Sequence, residues 1–214
     1  MIDIEKIRAE TPGINFSTHL NACGSSLMPR SVVDAITEHT KLEALMGGYE
    51  AEATKIDELS KIYNIVAEHI GASSYEIALM ENSTVAWRHA FYALPLNPGS
   101  KILTSEAEYA ANYVAFLQRA KRDNLTIDII PSDKSGTLDV NALDSMVDEE
   151  VGLIAISWIP TNGGLVNPAE KVGHVAKKYN IPYLLDACQT AGQMSIDVKK
   201  IGCDFLSATG RKFL

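Results

Sequence analysis

The chain has 214 residues, 46% of them apolar and 21% charged, a composition that supports one large α/β core or two small domains. A formal net charge of −8 with scattered basic residues excludes the basic patch of a nucleic-acid-binding surface, and no apolar run approaches the ~20 residues that span a bilayer. The opening Met1-Ile2-Asp3-Ile4-Glu5 lacks the basic and apolar regions of a signal peptide, and Cys23, Cys188 and Cys203 lack metal-ligand spacing, so a cytoplasmic, reducing location is expected, without disulfides or zinc.

After an irregular start, the spacing of Val32, Val33, Ile36, His39 and Leu42 predicts a helix over 31–45, stopped by Gly47-Gly48. A second amphipathic helix is predicted over 54–70, ending at Gly71. From Glu76 onward, short apolar runs alternate with helical stretches. The runs 77–80, 102–104, 127–130, 153–156, 183–185 and 204–207 read as strands; the helical patterns are 84–94, 109–122, 140–147 and 168–179. Continuously apolar strands alternating with helices imply a mainly parallel sheet covered on both faces, a three-layer α/β/α architecture with right-handed crossovers. Ligands of such sheets collect beyond the carboxyl ends of the strands. Polar residues concentrate at those ends.

In chain order, Glu81-Asn82-Ser83-Thr84 opens a helix, and its hydroxyls and free amides suit either an anion or plain capping by Ser83. Thr104-Ser105-Glu106-Ala107-Glu108-Tyr109 follows the next strand, and Tyr109 reads as a partner for a flat ring or as packing. In Trp158-Ile159-Pro160-Thr161-Asn162-Gly163-Gly164, Thr161 and Asn162 suit a ring oxygen, a substrate or a simple turn. Leu184-Leu185-Asp186-Ala187-Cys188-Gln189 delivers a carboxylate at a strand end. Asp186 reads as a helix N-cap or as the partner that keeps a pyridinium such as that of pyridoxal 5'-phosphate (PLP) protonated, with Gln189 on the ring's phenolic oxygen. Ser207-Ala208-Thr209-Gly210-Arg211-Lys212 is a polar loop or a cofactor anchor. In the second reading Lys212 forms a Schiff base, and Thr209 and Arg211 meet a phosphate dianion. No Gly-x-Gly-x-x-Gly follows a strand, which disfavours a dinucleotide binder.

The strand-Asp186-x-x-Gln189 motif, followed by Thr209-Gly210-Arg211-Lys212, resembles the class V aminotransferase family of PLP fold type I, from about Leu20 to Leu214. That family includes cysteine desulfurases, selenocysteine lyases, isopenicillin-N-epimerase-like proteins and C–S lyases. The resemblance implies an incomplete aspartate-aminotransferase-like large domain over 51–214. Residues 1–50 would then contribute an N-terminal segment and helix to the small domain and the active-site entrance. It also implies a PLP cofactor, an amino-acid substrate, a homodimer, and transamination or C–S lyase, desulfurase or epimerase chemistry through a Schiff base on Lys212. By the same resemblance Asp186 pairs the pyridinium and Gln189 the ring oxygen. Ser83, Thr84, Thr209 and Arg211 match phosphate positions. Tyr109 falls where desulfurases place a ring-stacking histidine, and Thr161 or Asn162 where they place a ring-facing asparagine.

Three departures stand out. Arg211 replaces a histidine, keeping a phosphate donor and adding permanent charge. Tyr109 replaces a histidine suspected of proton transfer, which weighs against desulfurase-type acid chemistry. The run 160–168 is closer to the epimerase and C–S-lyase branch. Cys23 and Cys188 do not fall where a desulfurase carries its persulfide and read as small apolar fillers. Family members continue well past the lysine. The 77–80 strand is therefore expected to lack a neighbour, and the chain to be unstable or to associate through exposed edges. The alternative reading is an inactive, truncated homologue serving as a binding or regulatory module.

Overall fold

The computed structural model describes residues 3–213. Within them the chain forms two compact units, one of residues 3–69, 73–77 and 210–213, the other of residues 70–72 and 78–209.

The first unit is helical: α1 (Ile4–Glu10), α2 (Arg30–Met46) and α3 (Gly48–Ile70). The sequence pattern does not reveal α1, which has only seven residues and whose Ile4 and Ile7, although at helical spacing, are exposed; its start is the Asp3 cap on the Lys6 amide at 3.0 Å. Gly47, at φ +95°, separates α2 from α3 with a backbone that a side chain resists. The final turn, a 3-10 helix at Gly210–Lys212, is tied into this unit from both sides. The Arg211 carbonyl accepts the Ser26 amide at 2.8 Å, and the Phe213 ring stacks on His69 at 5.7 Å.

In the second unit helices and strands alternate: α4 (Ser83–Ala93), β1 (Lys101–Ser105), α5 (Ala110–Asp123), β2 (Thr126–Ile130), α6 (Val140–Met146), β3 (Val151–Ser157), α7 (Ala169–Tyr179), β4 (Tyr183–Asp186), α8 (Val198–Ile201) and β5 (Phe205–Ser207). The five strands form one parallel sheet in the order β2-β1-β3-β4-β5. The expected α/β class and parallel sheet hold. The 77–80 strand does not: the segment joins no strand, and Leu79 and Met80 are exposed. A strand exists through its ladder, and an apolar run of four residues without a partner has nothing to hold it extended. Among the described residues no helix is long and apolar enough to cross a membrane.

Alternation along the strands divides the core between the two faces of the sheet. Ile102, Leu153, Ala155 and Leu184 pack against Trp87 and Phe91 of α4 and Ala115 and Phe116 of α5. Tyr183 faces the other way, its hydroxyl donating to the Ala169 carbonyl at the start of α7. Arg119 of α5 is buried and caps the end of α4, its guanidinium donating to the Phe91 and Leu94 carbonyls and, at 3.0 Å, to Asp123. On the opposite face α7 meets α8 backbone to backbone. A Cβ at Gly173 would lie 1.7 Å from the Ile201 carbonyl oxygen. Gly173→Ala should therefore destabilise the chain by about 3 kcal/mol, the upper range for overpacking against a backbone that must shift. The midpoint of urea unfolding measures this, and an unchanged midpoint would mean that α8 moves aside freely.

Candidate active site

The register of the sheet brings four polar side chains to the carboxyl ends of adjacent strands on the face covered by α4 and α5. Asp186 follows Leu184 by two residues on β4, and Ser157 follows Ala155 on β3, so both point where those core residues point. Ser207 of β5 is the direct register partner of Asp186, and Thr104 of β1 follows Ile102. All four are buried.

Asp186 is held at both oxygens. Oδ1 accepts the Cys188 amide and Oδ2 accepts Asn112 Nδ2, each at 2.9 Å. A carboxylate has about four acceptor positions, so half of its capacity remains. The N-cap reading of Asp186 is thus partly met, because the carboxylate does close the turn at Cys188. Ser207 Oγ is buried without a hydrogen-bond partner among the described residues. A hydroxyl in that condition costs about 1–3 kcal/mol.

Beside Asp186 lies a second carboxylate, Glu108, in the loop between β1 and α5. Its Oε1 accepts Asn112 Nδ2 at 3.1 Å, the Tyr109 amide at 2.6 Å and the Ser157 hydroxyl; its Oε2 accepts the Ser157 amide at 2.8 Å and Thr104 Oγ1 at 3.4 Å. The residue keeps some exposed surface, yet its carboxyl group is enclosed by these donors. Burial pushes the Glu108 carboxyl up to about 7, and the charge of Asp186 adds to the push. The hydrogen bonds from Ser157, Tyr109 and Asn112 hold it back.

Neither Glu108 nor Asn112 was singled out by sequence reasoning. The signal was their i,i+4 spacing across a helix start, which sets two polar side chains on one face. Such a pair is common on solvated helix surfaces. It gains meaning only when that face is turned toward a strand end.

The other anticipated residues are distributed as follows. Gln189 Nε2 donates to Thr161 Oγ1 at 3.2 Å, which brings two of them together; Asn162 is exposed on the same loop as Thr161. Tyr109 stands at the N-cap position of α5 without a side-chain cap bond and is 40% exposed. Ser83 and Thr84 begin α4, where the first-turn amides have no intrahelical acceptor. The cap there is Asn82, whose Oδ1 accepts the Val85 amide at 3.0 Å, so Ser83 is not the N-cap that its position suggested. Thr209 is half-buried just after β5. Arg211 and Lys212 belong to the helical unit, where Lys212 is half-buried and Arg211 exposed.

The family model for class-V aminotransferases matches residues 18–214. A probable cysteine desulfurase of Methanothermobacter thermautotrophicus is 28% identical over 211 residues, covering 97% of this chain and 52% of that protein. A probable cysteine desulfurase of Xylella fastidiosa is 28% identical over 224 residues, covering 98% and 53%. Among solved structures, the apo form of cysteine desulfurase from Thermococcus onnurineus aligns with a TM-score of 0.90 at 27% identity, covering all of this chain and 54% of the other. The cystine C–S lyase C-DES in complex with its product cysteine persulfide aligns with a TM-score of 0.88, covering 95% and 55%; at 20% identity it shows the fold alone. The chain spans about half the length of the curated relatives it matches.

Proposed function

From the premise that this chain belongs to the class-V aminotransferase family, we propose that it carries the cofactor-binding part of a PLP enzyme acting on an amino-acid substrate, with carbon–sulfur bond chemistry as the reaction class. The observation that carries this reading is the Asp186 carboxylate, buried at a strand end with one protein donor on each oxygen and acceptor capacity left over. The residues fit the cofactor. A protonated ring nitrogen needs such an acceptor, and the unpartnered Ser207 hydroxyl adds a buried donor on the same face of the sheet. The desulfurase relatives support the reaction class.

When bound, PLP supplies an electron sink for the electron pair left at the substrate's α carbon. The chain's own residues do the rest. Asp186 would hold the proton on the ring nitrogen, and the Asn112 and Cys188 donors keep its carboxylate oriented. Gln189, which donates to Thr161, would contact the ring oxygen, with Asn162 nearby in sequence. By the family resemblance Tyr109 would cover the ring face. By the same resemblance Ser83, Thr84, Thr209 and Arg211 would donate to the phosphate. Lys212 would hold the cofactor through its amine, with water leaving as that bond forms, and once the substrate's own amine has displaced it the freed Lys212 amine would carry the α-proton. The reading extends to a cytoplasmic homodimer, as the family resemblance suggests; light scattering of the purified chain tests the dimer.

Adding PLP to the chain and reducing with borohydride tests the function. The expected result is a yellow chromophore whose reduced adduct maps to Lys212 alone. A colourless mixture, or labels scattered over many lysines, overturns the reading.

A further inference from the structure

Asn112 divides the two N–H groups of one side-chain amide between two carboxylates, Asp186 Oδ2 at 2.9 Å and Glu108 Oε1 at 3.1 Å. Asp186 has a place in the function proposed above. Glu108 has none, yet it gathers donors from β1, β3 and the start of α5. The titratable group that faces it is Asp186, on β4. Its neighbours from the other elements, Thr104, Ser157 and Asn112, are neutral, and Glu106 is bonded instead to Ser132. Among the described residues no lysine, arginine or histidine pairs with either carboxylate.

We propose that Glu108 is a positioning residue of changeable charge: protonated, it holds Asn112 and through it Asp186; ionised, it adds a second negative charge that strengthens the grip of Asp186 on a cationic ring nitrogen. This rests on the PLP reading above. The surroundings accept both states. The Ser157 and Thr104 hydroxyls donate to the ionised carboxylate, and either can turn to accept when Glu108 carries a proton. Burial and the neighbouring charge put the change near neutral pH. A cation placed against Asp186 offsets that charge and so favours ionised Glu108. By linkage, such a cation must then bind more tightly as Glu108 ionises.

Pyridoxamine 5'-phosphate is the probe, because it has the same ring but no aldehyde and therefore reports ring binding independently of Lys212. Its dissociation constant is measured by calorimetry between about pH 5.5 and 8.5 for the wild type and for Glu108→Gln, the isosteric mimic of the protonated acid. The ratio of the variant's constant to the wild type's should lie near one at the acid end. It should rise to about tenfold at the alkaline end if binding lowers the carboxyl by one unit. Titration of the probe itself cancels in the ratio, and a purely structural glutamate would leave it flat. A flat ratio with both proteins binding overturns the role of Glu108 and leaves the PLP reading standing. Binding by neither protein removes the PLP reading, and this inference falls with it.

A second measurement needs no cofactor. The carboxyl is raised from 4.5 to about 7 on folding, so it stabilises the fold fully below 4.5 and loses that contribution as pH rises through about 7. Glu108→Gln should remove that part of the decline in stability. An identical decline in wild type and variant would also overturn the inference.

Discussion

Lys212→Ala should leave no borohydride-fixed PLP adduct, with at most weak phosphate-mediated binding, and lower turnover by about 10⁴-fold, the upper end of what a positioned general base contributes, because nucleophile and base are lost together. The fold should not change. The side chain lies on a short 3-10 turn whose backbone is secured through the Arg211 carbonyl and the Phe213 ring, neither of which the substitution touches. Unfolding midpoints of the two proteins should therefore coincide. Lys212→Arg separates charge from chemistry: the guanidinium keeps the positive charge but stays protonated and attacks no aldehyde. It should be as inactive as the alanine variant. A borohydride-fixed adduct that survives in Lys212→Ala would place the attachment on another amine and remove the assigned role.

Asp186→Asn should weaken retention of the cofactor by about 10- to 100-fold, the equivalent of one hydrogen bond to a charged group at 1.5–3 kcal/mol, and cut turnover further because the ring nitrogen no longer holds its proton. Equilibrium dialysis against PLP measures the first effect and steady-state kinetics the second. Asp186→Ala should do more damage to the fold. It strips the acceptor from the Asn112 amide and the Cys188 backbone N–H, both buried, at about 1–3 kcal/mol for each group left unsatisfied. The asparagine variant keeps one acceptor oxygen for one of these two donors and sets its own NH2 against the other, so it should recover only part of the stability that the alanine variant loses. Normal turnover by either would overturn the assignment of the carboxylate.

Much of the architecture was legible because its signals are local. The apolar runs that became β1 to β5 are bounded by helical stretches with their own periodicity, and the βαβ alternation leaves little choice but a parallel sheet. The 77–80 run was misread because four apolar residues look the same whether or not a partner strand exists; pairing is a long-range property. Helix α1 escaped notice because it has only seven residues and its Ile4 and Ile7, although at helical spacing, are exposed. The cap of α4 shifted by one residue, from Ser83 to Asn82, a common ambiguity where two capping residues adjoin.

For the candidate site, the sequence by itself determined that a carboxylate closes one apolar strand and that a Thr-Gly-Arg-Lys stretch follows the next, since both facts lie within short segments. Only the tertiary structure decided what surrounds Asp186. Strand register turns Ser157, Asp186 and Ser207 to one face, and the docking of α5 on that face brings Asn112 and Glu108 to the same carboxylate. The physical reason is that side-chain alternation is encoded locally, whereas register and helix docking come from packing residues far apart in the chain. The charge state of a buried acid such as Glu108 depends on the enclosure that this packing creates.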